Sequence, residues 1–286
     1  MTLDYETLRV IWWALLGVLL IGFAIMDGFD MGVAIMLPWV AKTDEERRIL
    51  INAIGPTWEG NQVWFILGGG AIFAAWPSLY ALSFSGFYLA MLLVLLALIL
   101  RPVGFKYRSK LPANTWRQFW DYALFIGGLV PALIFGVAVG NVLQGVPFHF
   151  DETLRPYYTG QFLALLNPFA LYCGVLSVLM LSMQGAQFLG IKTEGILKMR
   201  SKKWAQVTSL LCLFLFACGA VFLNHTHGYQ LTHDISHIGP SNPLHKSVAL
   251  VLGAWLNNYR LYPLLWLVPA LGLTGALLSV CCRAII

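Results

Sequence analysis

"PTWEGNQVWF", residues 56–65, runs directly into "ILGGGAIFAAW", residues 66–76, so an acid and two amides stand at the mouth of an uncharged run. The rest of the chain decides what such a run is for. Of the 286 residues 59% are hydrophobic and 11% charged, and the mean hydropathy of +0.73 is far above that of a soluble domain. A hydrocarbon core of about 30 Å needs roughly 20 mostly apolar residues per helix. Seven runs qualify: Leu8 to Pro38, Trp58 to Trp76, Ser78 to Leu100, Phe119 to Val142, Phe162 to Leu189, Ala205 to Leu223 and Leu261 to Cys282. Lipid leaves backbone groups unsatisfied unless they pair internally, so spans are helices or closed barrels, and these runs are too long for barrel strands. The expected fold is therefore an all-α membrane protein, a multi-span helical bundle forming one integral-membrane unit over residues 1–286.

The first run lacks a basic leader and a small-residue cleavage site, and Asp4 and Glu6 precede it, so it reads as a retained span. Fourteen of the 18 basic residues fall after odd-numbered spans, among them Arg47, Arg48, Arg101, Lys106, Arg108, Lys110, Arg117, Arg200 and Lys203. Cytoplasmic loops hold such an excess, which places the N-terminus on the external side. The net charge of +5 is thereby an orientation signal, with anionic lipid as its natural contact, and calls for no nucleic acid.

All five cysteines, Cys173, Cys212, Cys218, Cys281 and Cys282, lie in or at the ends of apolar runs without metal-site spacing, and read as small buried hydrophobes. The six histidines, His149, His225, His227, His233, His237 and His245, all fall in external connections. Haem inside a membrane normally takes an axial ligand from a helix, most often His. No span offers one. The spacing from His225 to His245 matches no metal pattern, so no metal site is expected, and that connection reads as a solvated cap.

A carboxylate at the centre of a spanning helix costs about 2.5–3.5 kcal/mol, so intramembrane acids are functional suspects. Asp27, Asp30 and Glu59 are the candidates. Asp27 and Asp30 are three apart and share a helix face, with Gly28 and Gly32 leaving room beside them. Two readings stand for this pair: interfacial acids matched to nearby basic residues, or the wall of a wet, proton-carrying groove. Glu59 likewise has a local explanation, because Thr57 is a plausible N-cap and an acid in a first turn is favoured by about 0.3–1 kcal/mol. That accounts for the acid but not for Asn61 and Gln62 behind it, nor for both Trp58 and Trp64. A polar face at a helix mouth points to a partner or a water-filled path.

Taken together, "DYETLRVIWW" (4–13), "GFAIMDGFDMGV" (22–33), "ERRILINAIGPTWEGNQVWFILGGGAIFAAWP" (46–77), "FSGFYLAM" (84–91), "RPVGFKYRSK" (101–110) and "GNVLQGVPF" (140–148) closely resemble subunit II of the cytochrome bd family of bacterial quinol oxidases. The resemblance implies a heterodimer in the bacterial inner membrane. Its haem-bearing subunit I would carry the b and d haems, oxidise ubiquinol or menaquinol externally and reduce dioxygen to water with cytoplasmic protons. Subunit II would bind no haem, stabilise its partner, line a proton path and, in some members, hold a structural quinone. A small single-span subunit belongs to the implied partner set as well.

By the same resemblance the proton path comprises Glu59, Asp27, Asp30, Asn61 and Gln62, supported by Trp58, Trp64 and Arg101, with no catalytic residue in this chain. Glu59 occupies the acidic position of the family's W-D/E-G-N-Q-V-W motif, and Asn61 and Gln62 are expected to hold it. Lys106 departs from relatives that carry an acid in "RPVGF-x-YRSK". The family fold has nine spans, two four-helix bundles and a peripheral helix, so at seven spans the last two are expected to be missing. A purely scaffolding subunit without a proton path is the alternative, and a stand-alone transporter a remote third.

Overall fold

The computed structural model describes residues 4–232, 242, 244 and 246–281. Helix α1 (Tyr5–Val40) begins where the Asp4 carboxylate accepts a hydrogen bond from the Thr7 amide at 3.0 Å. After it come α2 (Asp44–Ile54), α3 (Trp58–Asn61), α4 (Val63–Ala75), α5 (Pro77–Gly86), α6 (Tyr88–Tyr107) and α7 (Asn114–Gln144). An antiparallel hairpin of β1 (Phe148–Phe150) and β2 (Pro156–Tyr158) precedes α8 (Pro168–Lys192) and α9 (Gly195–Asn224). A second hairpin, β3 (His227–Leu231) with β4 (Val248–Leu252), leads through α10 (Asn257–Leu261) to α11 (Leu267–Cys281).

Among the described residues six helices are long and apolar enough to cross a membrane: α1, α6, α7, α8, α9 and the segment Pro263–Cys281 that ends in α11. The second expected span, Trp58 to Trp76, is not one long helix. It is interrupted at Gln62, and α4 has 13 residues, about 20 Å, short of the hydrocarbon thickness. The causes are local: Gly60 is a poor helix former, the Asn61 amide is drawn sideways to α1, and Pro77 disfavours helix at Trp76. The third span is displaced by the same punctuation. Ser78 lies in α5, while α6 extends past Leu100, so Arg101 and Lys106 are helical residues rather than loop residues.

Helix α8 is central and packs against α1, α7 and α9; α7 also packs on α1 and α6, α4 lies on α1, and α11 lies on α9. The buried core sits at the end of the bundle where α1 finishes. Val33, Met36, Leu37 and Val40 of α1 meet Leu50, Ile51 and Ile54 of α2, Leu124 of α7 and Leu189 of α8. The first two-thirds of α1 is instead apolar and exposed, as a lipid-facing helix is, with Val10, Trp13, Val18 and Ile21 pointing outward. Of the cysteines, only Cys212 is buried; Cys173 and Cys218 are half-buried and Cys281 is exposed, so the expectation of buried hydrophobes holds for one of the four described.

The start of α2 is fixed by a reciprocal cap. Thr43 Oγ1 accepts from the Glu46 amide at 3.2 Å, and Glu46 Oε2 accepts from the amides of Thr43 at 3.3 Å and Lys42 at 2.6 Å. Arg200 of α9 donates to the same carboxylate at 2.8 Å. The Lys42 amide, with those of Thr43 and the Arg200 guanidinium, holds the Glu46 carboxyl below the ordinary glutamate range against a desolvation that pushes it up. Its stabilising contribution is therefore full above the ordinary glutamate pKa and is lost as pH falls through the lower folded value. Thr43→Ala is expected to cost about 1 kcal/mol, read as a lower thermal unfolding midpoint of the detergent-solubilised protein, whereas Thr43→Ser leaves the midpoint unchanged.

Candidate functional site

Where α1 passes from exposed to buried it carries two carboxyl groups into the protein. Asp27 and Asp30 are 2% and 0% exposed, and Arg101, which reaches them from α6, is 1% exposed. Arg101 pairs with Asp27 through both guanidinium arms, Nη2 to Oδ1 at 2.9 Å and Nη1 to Oδ2 at 3.3 Å. A planar fork matched to a carboxylate is the arrangement that makes a buried charge pair tolerable. Room for the arginine stem comes from α7: a Cβ added at Gly127 would lie 2.9 Å from Arg101 Cγ.

Asp30 has a different partner. Asn61 Nδ2 donates to its Oδ2 at 2.7 Å, while its Oδ1 is buried without a hydrogen-bond partner among the described residues. Asn61 is buried at the end of α3, and Trp58, one helical turn earlier, stacks on Phe105 of α6 with ring centroids 5.1 Å apart. That stack presses α3 against α6 and aims the amide at α1. Trp64 packs on α1 where Gly22 lacks a side chain, its Cε3 being 2.5 Å from where a Cβ would stand. On the far side of α1, Gln184 of α8 donates to the Ile25 carbonyl at 2.5 Å.

Five of the eight residues singled out in the sequence, Asp27, Asp30, Asn61, Trp58 and Arg101, are thus brought to one place, with Trp64 further along α1. Glu59 and Gln62 are not part of it. Glu59 is exposed, Gln62 half-buried, and the amide expected to hold Glu59, that of Asn61, serves Asp30. Thr57 does not cap α3 through its side chain; its hydroxyl donates back to the Ile54 carbonyl at 3.2 Å.

Sequence reasoning missed a second charge cluster. Arg108 binds Asp121 of α7 through Nε at 2.5 Å and Asp44 of α2 through Nη2 at 2.7 Å, Arg47 adds a bond to Asp121 at 2.9 Å, and Arg117 one to Asp44 at 2.6 Å. It ties α2 to the α6–α7 connection. The available signal was Asp121 alone in the aromatic run "FWDYALF" (119–125). His233, His237, His245 and Cys282 lie outside the described residues; among the described ones no group of three or more acidic, His or Cys side chains converges.

A bundle of apolar helices with a buried ion pair and a second, singly bonded carboxyl defines an integral membrane protein built around a polar core. Comparison with known proteins gives that class its family. The family model for cytochrome bd terminal oxidase subunit II matches residues 8–285. The chain is 55% identical over 277 residues to the probable cytochrome oxidase subunit 2 of Haemophilus influenzae, covering 97% of this chain and 73% of that protein. It is 54% identical over 279 residues to the cytochrome bd-I ubiquinol oxidase subunit 2 of Escherichia coli K12, covering 97% and 74%. The bd oxidase structure from Geobacillus thermodenitrificans shares the fold at a TM-score of 0.62 and 16% identity, over 77% of this chain and 67% of that one. The chain belongs to the cytochrome bd terminal oxidase subunit II family and is a multi-pass subunit of a membrane oxidase complex.

Proposed function

We propose that this chain is the haem-free second subunit of a cytochrome bd-type quinol:oxygen oxidoreductase, which stabilises the haem-bearing subunit I and contributes a path by which cytoplasmic protons reach the site of dioxygen reduction. The b and d haems belong to the partner: among the described residues no histidine lies within a membrane-crossing helix, so the usual axial ligand is missing here. The orientation follows from the basic residues, with the N-terminus external. One observation supports the path above the rest: a fully buried carboxyl, Asp30, is hydrogen-bonded to the same short helix that carries exposed Glu59. In this reading Glu59 collects protons from water, and the polar core of Asp30, Asn61 and the Asp27–Arg101 pair lies behind it. Gln62, half-buried at the interruption, lines the approach.

Glu59→Gln tests it in the assembled oxidase. Turnover and proton uptake are expected to fall about tenfold at unchanged haem content, less than the ~10²–10⁴ of a group transferring a proton at the reacting atom, because water bypasses part of an exposed site. The scaffold reading draws on the absence of a hydrogen bond to Glu59 among the described residues. It requires that the variant either behave as wild type or lose haem and turnover together.

A further inference from the structure

Asp27 and Asp30 sit three residues apart on one helix, yet the protein treats them differently. We infer that Asp27 serves as the counter-charge to Arg101, whereas Asp30 is the carboxyl that takes up and stores a proton in this subunit, with Asn61 as its positioning residue. The assignment rests on the proton-path reading above and divides the labour within it.

Charge balance carries the argument. A buried carboxylate persists only when a cation or several hydrogen bonds replace water. Asp27 has both oxygens on the Arg101 guanidinium, and that single positive charge is spent on it. Asp30 has, among the described residues, one neutral donor on Oδ2 and none on Oδ1. Among the described residues the only charges that act on Asp30 are Arg101 and Asp27; the basic residues of α2 and α9 and Arg117 of α7 do not reach it. Helix α4 has no charged residue, the only charge on α8 is Lys192 in its last turn, and on α7 Asp121 is itself engaged by Arg47 and Arg108. Glu59 of α3 is exposed and would only add negative charge. A second negative charge beside Asp27 would thus leave the pocket with a net charge of −1 out of reach of water, and a proton on Asp30 removes it.

The geometry also says which oxygen carries the proton. Because Asn61 Nδ2 donates to Oδ2, that oxygen is the carbonyl acceptor, and the hydrogen belongs on Oδ1, the atom without a partner. Transfer therefore requires water to enter the pocket: the Oδ1–H bond breaks as the proton passes to that water, the carboxylate later regains a proton from the same water, and no electron changes hands. Asn61 keeps Oδ2 occupied throughout, so the same oxygen is reloaded at each cycle.

Infrared spectroscopy of the purified, assembled oxidase at pH 7 reads this directly through the C=O stretch of a protonated carboxylic acid, identified by its shift in D₂O. One such band is expected to vanish in Asp30→Asn, to return displaced in Asp30→Glu, and to remain in Asp27→Asn. Should Asp30→Asn fail to assemble, Asn61→Ala reads the same group, because removing the donor to Oδ2 must move the band to higher frequency. A band spectrum indifferent to Asp30→Asn, or to Asn61→Ala, overturns the assignment. Failure of the Glu59 reading is separate: normal turnover in Glu59→Gln with the Asp30 band in place would remove the proposed proton collector and leave the acid where it is.

Discussion

An Arg101→Met variant of the assembled oxidase is expected to lose about 3–5 kcal/mol of stability, the cost of leaving one member of a buried ion pair without the other. Arg101 and Asp27 are both almost wholly buried, and each arm of the guanidinium meets an oxygen of the carboxylate. Water cannot take over from the missing cation. Most of the loss should be recovered in the double variant Asp27→Leu/Arg101→Met, since replacing both members by apolar groups is often neutral or stabilising. Thermal unfolding and the yield of intact complex provide the measurement. A double variant as unstable as the single one would show that Arg101 stabilises the fold by some route other than this pair.

Gly32→Ala is the second variant expected to do severe damage, although it adds one methyl group. A Cβ at Gly32 would overlap the backbone carbonyl oxygen of Leu181, and one at the facing Gly185 would lie 2.6 Å from the carbonyl carbon of Gly32. Neither neighbour is a side chain that can rotate away. Helices α1 and α8 would have to separate, so the effect should reach the upper part of the ~1–3 kcal/mol typical of overpacking. Gly70→Ala is the control: nothing lies within 4 Å of its added carbon, and helix propensity favours alanine by up to about 1 kcal/mol. If the two variants unfold at the same temperature, the α1–α8 crossing is not held by that contact.

The spans were legible because lipid imposes a length and a polarity that composition must meet. Leu8 to Pro38 and Phe119 to Val142 announce α1 and α7 with no help from tertiary structure. The interruption at Gln62 was not legible, because it accompanies a bond between Asn61 and Asp30, 31 positions apart in sequence, and local pattern carries no record of such a partner. Arg101 was placed in a loop because a charge ends an apolar run, yet its counter-ion lies 74 positions away on another helix. Asp121 escaped notice for the same reason. Its residue type gave a hint, but the two arginines that explain it, Arg47 and Arg108, come from α2 and the α6–α7 connection. Motif resemblance did better than polarity at naming the residues of the buried site and worse at grouping them, since it joined Asn61 to Glu59 when the fold joins it to Asp30.

The length of α1 has a consequence for how this subunit comes apart. Its 36 residues measure about 54 Å, and the stretch from Tyr5 to Met26 alone, about 33 Å, is enough to cross the hydrocarbon. The remaining turns, where α1 meets α2 and the ends of α7 and α8, therefore form a collar at the basic rim. Cohesion there is of the aqueous kind, apolar side chains hidden from water under a layer of ion pairs, whereas the spans are held by close packing in lipid, where no such drive exists. Urea weakens the first and has little purchase on the second. The rim should loosen at denaturant concentrations that leave the lipid-embedded helices intact, and with it the mooring of the Asp27–Arg101 pair just beneath.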